Sequence, residues 1–147
     1  MINAKGKEQR ANQEGRKSKG VGFAFLALII AQAAHSAEEY AGRLWESFPP
    51  ARLLPSLISD DLARGFLLLS IGLVTFGLWC FVGPVRREWP VAVPLTWGWV
   101  VVESINGVVH PLWALHVRAY TPGLVTAPIL LILAINLARE QSRSRSQ

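Results

Sequence analysis

The sequence predicts an all-α integral membrane protein, a bundle of four transmembrane helices. Three observations predict it. Apolar residues make up 51% of the 147 residues and charged residues only 17%. The apolar residues gather into four segments, about 21–40, 64–82, 91–116 and 122–138. The basic residues are left to the two tails and the short loops. About 20 consecutive apolar residues cross the ~30 Å hydrocarbon core as a helix, and a helix satisfies its own backbone where no water can. The length suits one domain.

Each element follows in order. Residues 1–20 carry Lys5, Lys7, Arg10, Arg16, Lys17 and Lys19 and little to bury, so a disordered basic tail is expected there. The first span, 21–40, reads VGFAFLALIIAQAAHSAEEY: it opens apolar and closes on His35, Glu38 and Glu39. Residues 41–63 hold Pro49, Pro50, Pro55, Asp60 and Asp61, and the stretch SLISDDLARG reads as a short interfacial helix. The second span, 64–82, is uninterrupted, and its Gly65, Gly72 and Gly77 suit close helix packing. GPVRREWP, residues 83–90, is a turn with two arginines. The third span, 91–116, carries Glu103, Asn106 and His110, with Pro111 bending its axis. The fourth, 122–138, ends in the polar tail 139–147. Trp45, Trp89 and Trp113 fall near span ends, where aromatic belts lie.

Charge sets the orientation. With four spans, one side holds Lys5, Lys7, Arg10, Arg16, Lys17, Lys19, Arg86, Arg87, Arg139, Arg143 and Arg145, which is 11 of the 15 Lys and Arg. The other side holds Arg43, Arg52, Arg64 and Arg118. The positive-inside rule then places both termini in the cytoplasm. The same distribution argues against nucleic-acid binding, which would gather the +5 net charge on a folded face. The single Cys80 excludes an internal disulfide and reads as a small buried hydrophobe.

Two spans carry residues that a bilayer resists. A charged group at the bilayer centre costs about 2.5–3.5 kcal/mol on insertion scales, and such groups mark functional sites. Spans one and three both run outward, so their polar sets reach similar depth toward the non-cytoplasmic face. Residues three, four and seven apart share a helix face. His35 lies three residues before Glu38 and four before Glu39, and Gln32 extends that stripe. Glu103, Asn106 and His110 fall within about 60° of arc at 100° per residue. Each helix thus offers a histidine and a carboxylate toward the other, the way helical bundles build metal sites. Imidazole with carboxylate suits zinc, iron or manganese. Without a metal, the same groups suit acid–base chemistry, one glutamate such as Glu38 acting as the acid and a histidine as the base.

Three short motifs occur in order: H-x-x-E-E at His35, Glu38 and Glu39; N-x-x-x-H at Asn106 and His110; and Y-x-P-G at Tyr120, Pro122 and Gly123. In this the chain resembles the bacterial membrane proteins named for the HxxEE motif, over residues of about 21–138. The resemblance implies a bacterial inner-membrane protein, a family of unknown function presumed enzymatic, and a site of His35, Glu38, Glu39, Asn106, His110 and Tyr120. Glu103 is added by its helical spacing.

The expected function is a membrane-embedded enzyme, metal-dependent or acid–base, acting on a lipid-like substrate near the outer face. A divalent metal would sit on His35, Glu38, Glu39, Glu103 and His110, with Asn106 and Tyr120 orienting substrate or water. Membrane lipids are the expected partners, and four short spans suit a homo-oligomer. Other classes keep the same residues. A proton-coupled transporter would need a polar path to the cytoplasmic side, and the inner halves of spans one and two are nearly free of polar groups. A non-catalytic partner protein would use the cluster as a structural network. Residues 21–34 with Ala31 and Ala33 also resemble a secretory signal, but cleavage there would separate His35 from its helix.

Overall fold

The computed structural model describes residues 4–145, and among them every regular element is helical. Six α-helices follow in order: α1 (Ala4–Ala41), α2 (Leu44–Ser47), α3 (Pro50–Ser56), α4 (Leu62–Cys80), α5 (Ala92–Val117) and α6 (Ala127–Arg145). A π-helical turn, Phe81–Val85, prolongs α4 through Pro84. Three helices are long and apolar enough to cross a membrane: Lys19–Ala41, Leu62–Val85 and Ala92–Val117.

Two expectations about the helices need correction. The tail expected to be disordered continues α1 back to Ala4. No proline interrupts residues 1–41, and Ala, Lys, Glu, Gln and Arg extend a helix readily. The expected fourth span, 122–138, starts as a helix only at Ala127 and runs on through the polar tail to Arg145. Its apolar part, residues 127–138, gives about 18 Å of helix at 1.5 Å per residue. Residues 122–126 form turns instead, for a reason the site makes plain.

Helix α6 is the hub, packed against both α1 and α5. Ala127, Leu130, Ala134, Leu137 and Gln141, spaced three and four apart, form its buried stripe. Phe25, Leu28 and Ile29 of α1 and Trp99 and Val100 of α5 meet it in one core, joined by Cys80. Gly107 permits the close α5–α6 approach, since a Cβ there would come 2.6 Å from the Leu131 Cβ. Gly20 lies beside Glu140 at one end of the α1–α6 pair, and Glu38 meets Thr126 at the other, so these helices are antiparallel.

The connection between α1 and α4 folds over the other end. Asp61 caps α4 through the amides of Ala63 (3.0 Å) and Arg64 (3.2 Å). The Pro55 carbonyl sits against Gly65, and Gly77 receives Ile29 and Trp99, but Gly72 faces open space. Trp45, expected in an interfacial belt, is buried against Phe66, with ring centroids 5.2 Å apart.

Candidate metal centre

Three motifs meet at the end of the bundle where α1 and α5 finish and α6 begins. His35 is fully buried and His110 nearly so, and their rings pack edge to face with centroids 4.7 Å apart. Glu39 lies between them. Its Oε1 is 3.3 Å from His35 Nε2 and 3.2 Å from His110 Nε2, and its side chain is 13% exposed. The helical spacing explains the choice of glutamate: residue i+4 returns to the face of His35, and residue i+3 lands on the other flank of it.

Glu38 occupies that other flank and has a different task. Oε1 accepts from the Tyr120 hydroxyl (2.7 Å) and the Val125 amide (3.1 Å). Oε2 accepts from the Thr126 amide (2.9 Å) and the Thr126 hydroxyl (2.6 Å). Four donors fill the roughly four lone-pair sites of a carboxylate. Glu38 therefore caps α6 from a neighbouring helix, since free amides ahead of a helix need an acceptor and favour an anion. This anchoring is why residues 122–126 turn instead of spanning. Donation to Glu38 also holds the Tyr120 phenol above its ordinary range.

Gly123 completes the enclosure. Its φ is +90°, and a Cβ there would come 2.5 Å from His110 Cε1, 2.6 Å from His110 Nδ1 and 2.9 Å from His35 Cε1. Only glycine gives both that backbone and that approach. Phe48 packs beside His110 (6.2 Å between centroids) and beside Trp113 (5.1 Å), whose Nε1 donates to the Ser47 carbonyl at 3.2 Å. The connection after α1 thus supplies an aromatic wall.

Glu103 and Asn106 lie deeper and form a second polar layer. Asn106 Nδ2 donates to Glu103 Oε2 at 3.3 Å. Gln32 stands between Glu103 and Ser36. With its amide nitrogen toward Glu103 it donates to Oε1 (3.1 Å) and Oε2 (2.8 Å), and its oxygen accepts from the Ser36 hydroxyl at 3.0 Å. The reverse amide orientation sets oxygen against oxygen at Glu103, so the partners assign it. Glu103 was expected among the ligands of a metal. It lies two helical turns from His110, about 10 Å along the axis, and its hydrogen-bond partners are these amides instead.

The residues expected to hold a metal therefore divide. His35, Glu39 and His110 bring one donor atom each to within 4.8 Å of one another, a group that could hold a metal ion. Glu38 and Glu103 are engaged elsewhere. One observation tests the fit. His35 Nε2 is buried and makes no hydrogen bond, although the Glu39 carboxylate is 3.3 Å away. Ligand atoms about 2.0–2.1 Å from a tetrahedral ion lie roughly 3.3–3.4 Å from each other. The two Glu39 contacts, 3.3 and 3.2 Å, have nearly that spacing.

Sequence reasoning missed Thr126. Its hydroxyl joins Glu38 to His35, with 2.7 Å to His35 Nδ1. A threonine just before a first turn containing Pro128 is a readable helix-start pattern; that its side chain would serve another helix was not readable.

The fold and site define a helical protein with membrane-length helices and a buried cluster of two histidines and a carboxylate. The chain belongs to the family described as proteins of unknown function with an HXXEE motif, whose profile matches residues 26–137, or 112 of 147 residues. No curated protein and no solved structure matches the chain.

Proposed function

We propose that this protein is a multi-pass enzyme of the bacterial inner membrane, with both termini cytoplasmic, that holds one divalent metal ion on His35, Glu39 and His110. The observation that carries the reading is the buried Nε2 of His35, without a hydrogen bond and at ligand spacing from Glu39. Two imidazoles and one carboxylate form the donor set of hydrolytic zinc centres and of non-haem iron(II) centres. Imidazole with carboxylate suits zinc, iron and manganese alike, and Glu39 lies at ligand spacing from both Nε2 atoms, 3.3 and 3.2 Å. Three protein donors leave a fourth position for water or substrate, and a zinc ion there would lower the pKa of a bound water to near neutrality.

The protein's own groups would orient that chemistry. His35 and His110 each bring Nε2 to within 3.3 Å of Glu39 Oε1, which supplies the negative charge, while Gly123 packs against both imidazoles and Phe48 against that of His110. The cluster lies within the last two turns of the candidate span Lys19–Ala41, beside the aromatic wall of Phe48 and Trp113. That depth supports a lipid-like substrate whose reacting bond sits near the headgroup level of the outer leaflet.

Elemental analysis of detergent-purified protein tests the reading. Wild type is expected to carry about one equivalent of zinc, and His35→Ala, Glu39→Ala and His110→Ala each to lose it, with Glu103→Gln retaining it. Metal-free wild type that takes up no zinc on reconstitution overturns the proposal.

A further inference from the structure

The Thr126 hydroxyl is placed between Glu38 and His35, and hydrogen counting decides what it does there. A hydroxyl has one hydrogen to donate and two lone pairs. Glu38 Oε2 is 2.6 Å away, too close for two acceptors without a hydrogen between them. The threonine hydrogen therefore goes to Glu38, which already accepts only from donors. The oxygen is then an acceptor toward His35 Nδ1 at 2.7 Å, so Nδ1 carries the ring hydrogen. A neutral imidazole has one hydrogen, which leaves Nε2 with a bare lone pair. That agrees with Nε2 making no hydrogen bond to a carboxylate 3.3 Å away. The opposite tautomer fails on both counts: it would put a hydrogen on Nε2 with no aligned acceptor, and it would demand the Thr126 hydrogen for Nδ1 and for Glu38 at once.

From this we infer that Thr126 is a positioning residue: held by Glu38, it fixes His35 in the Nδ1–H tautomer and presents the Nε2 lone pair toward Glu39 and His110. Ligating histidines commonly donate their second ring N–H to an outer partner, and losing that partner weakens metal binding about 10–100-fold. Here the outer partner is a threonine backed by a carboxylate. The H-x-x-E-E motif then splits by role: His35 and Glu39 face the centre, and Glu38 sets the state of His35 through a residue 88 positions away.

The inference concerns the tautomer and stands apart from the metal reading; only its effect on affinity rests on that reading. The test is nitrogen-15 NMR of histidine-labelled, metal-free protein in wild type, Thr126→Ser and Thr126→Val, with His35 assigned by its loss in His35→Gln. Wild type and the serine variant are expected to show His35 protonated at Nδ1 alone. The valine variant is expected to lose that tautomer preference and to bind zinc 10–100-fold more weakly, with serine restoring both. A wild-type His35 protonated at Nε2, or a valine variant with an unchanged spectrum, overturns the inference. If the valine variant does not fold, the wild-type and serine spectra decide. The Nδ1 tautomer without any zinc binding would overturn the metal reading and leave Thr126 in its role.

Discussion

Replacing Gly123 by alanine should damage the centre more than any change of similar size elsewhere in the bundle. The backbone at Gly123 has φ +90°, and a left-handed conformation costs a residue with a Cβ roughly 1–2 kcal/mol. The added methyl would stand 2.5 Å from His110 Cε1 and 2.9 Å from His35 Cε1. Neither ring can retreat freely, because His35 is tied to Thr126 and His110 is backed by Phe48. Overpacking of this kind costs roughly 1–3 kcal/mol, so the sum is about 2–5 kcal/mol. At 1.4 kcal/mol per factor of ten, that is a loss of about 30-fold or more, shared between folding and the joint position of the two rings. The assay is unfolding in detergent alongside a zinc titration, with Gly72→Ala as the control. Gly72 sits inside α4 with nothing within 4 Å of its missing Cβ, so alanine there should be neutral or stabilising by up to about 1 kcal/mol of helix propensity. If Gly123→Ala matches wild type in stability and in zinc affinity, the proposed packing of the 122–126 turn on the histidines is wrong.

Other outcomes follow from the two polar layers. Tyr120 donates to Glu38, so its phenol should titrate above the usual value of about 10. A folded value above the unfolded one means this tie is fully present at lower pH and is lost as pH rises through the folded value. An absorbance titration in a Tyr40→Phe background should show the high midpoint, and adding Glu38→Gln should lower it; an unchanged midpoint would remove Glu38 as the cause. Glu103→Ala strips the acceptor from Gln32 and Asn106 and should cost about 1–3 kcal/mol of stability. It should leave zinc stoichiometry intact, and zinc loss in a folded Glu103→Ala protein would return Glu103 to the ligand set. Gly107→Ala forces a methyl against Leu131 and Ala127 and should cost about 1–3 kcal/mol, visible as a lowered melting temperature without a change in metal affinity.

Much of the centre was legible in the chain because helices obey a fixed period. The four-residue step from His35 to Glu39 announced a shared face, and the expected parallel run of two apolar segments placed His35 and His110 at one depth. What periodicity could not weigh was competition for partners. Glu38 and Glu39 look alike in sequence, but only one faces His110, since neighbours on a helix stand about 100° apart. Glu103 shares a stripe with His110, yet Gln32 reaches it first. The fourth segment was misjudged from Pro122 because hydropathy sums Leu124 and Val125 without seeing that the Val125 and Thr126 amides belong to Glu38. Continuation of α1 to Ala4 runs against the polar, basic composition and the four glycines of residues 4–22, with no proline to stop it.

The central claim is that His35, Glu39 and His110 bind one ion together, and X-ray absorption at the zinc edge of reconstituted protein tests it most directly. The account predicts a first shell of nitrogen and oxygen at about 2.0–2.1 Å, with outer-shell scattering from two imidazoles. In His110→Ala the scattering should fall to one imidazole. A wild-type spectrum with sulfur ligands, or with fewer than two imidazoles, would contradict it.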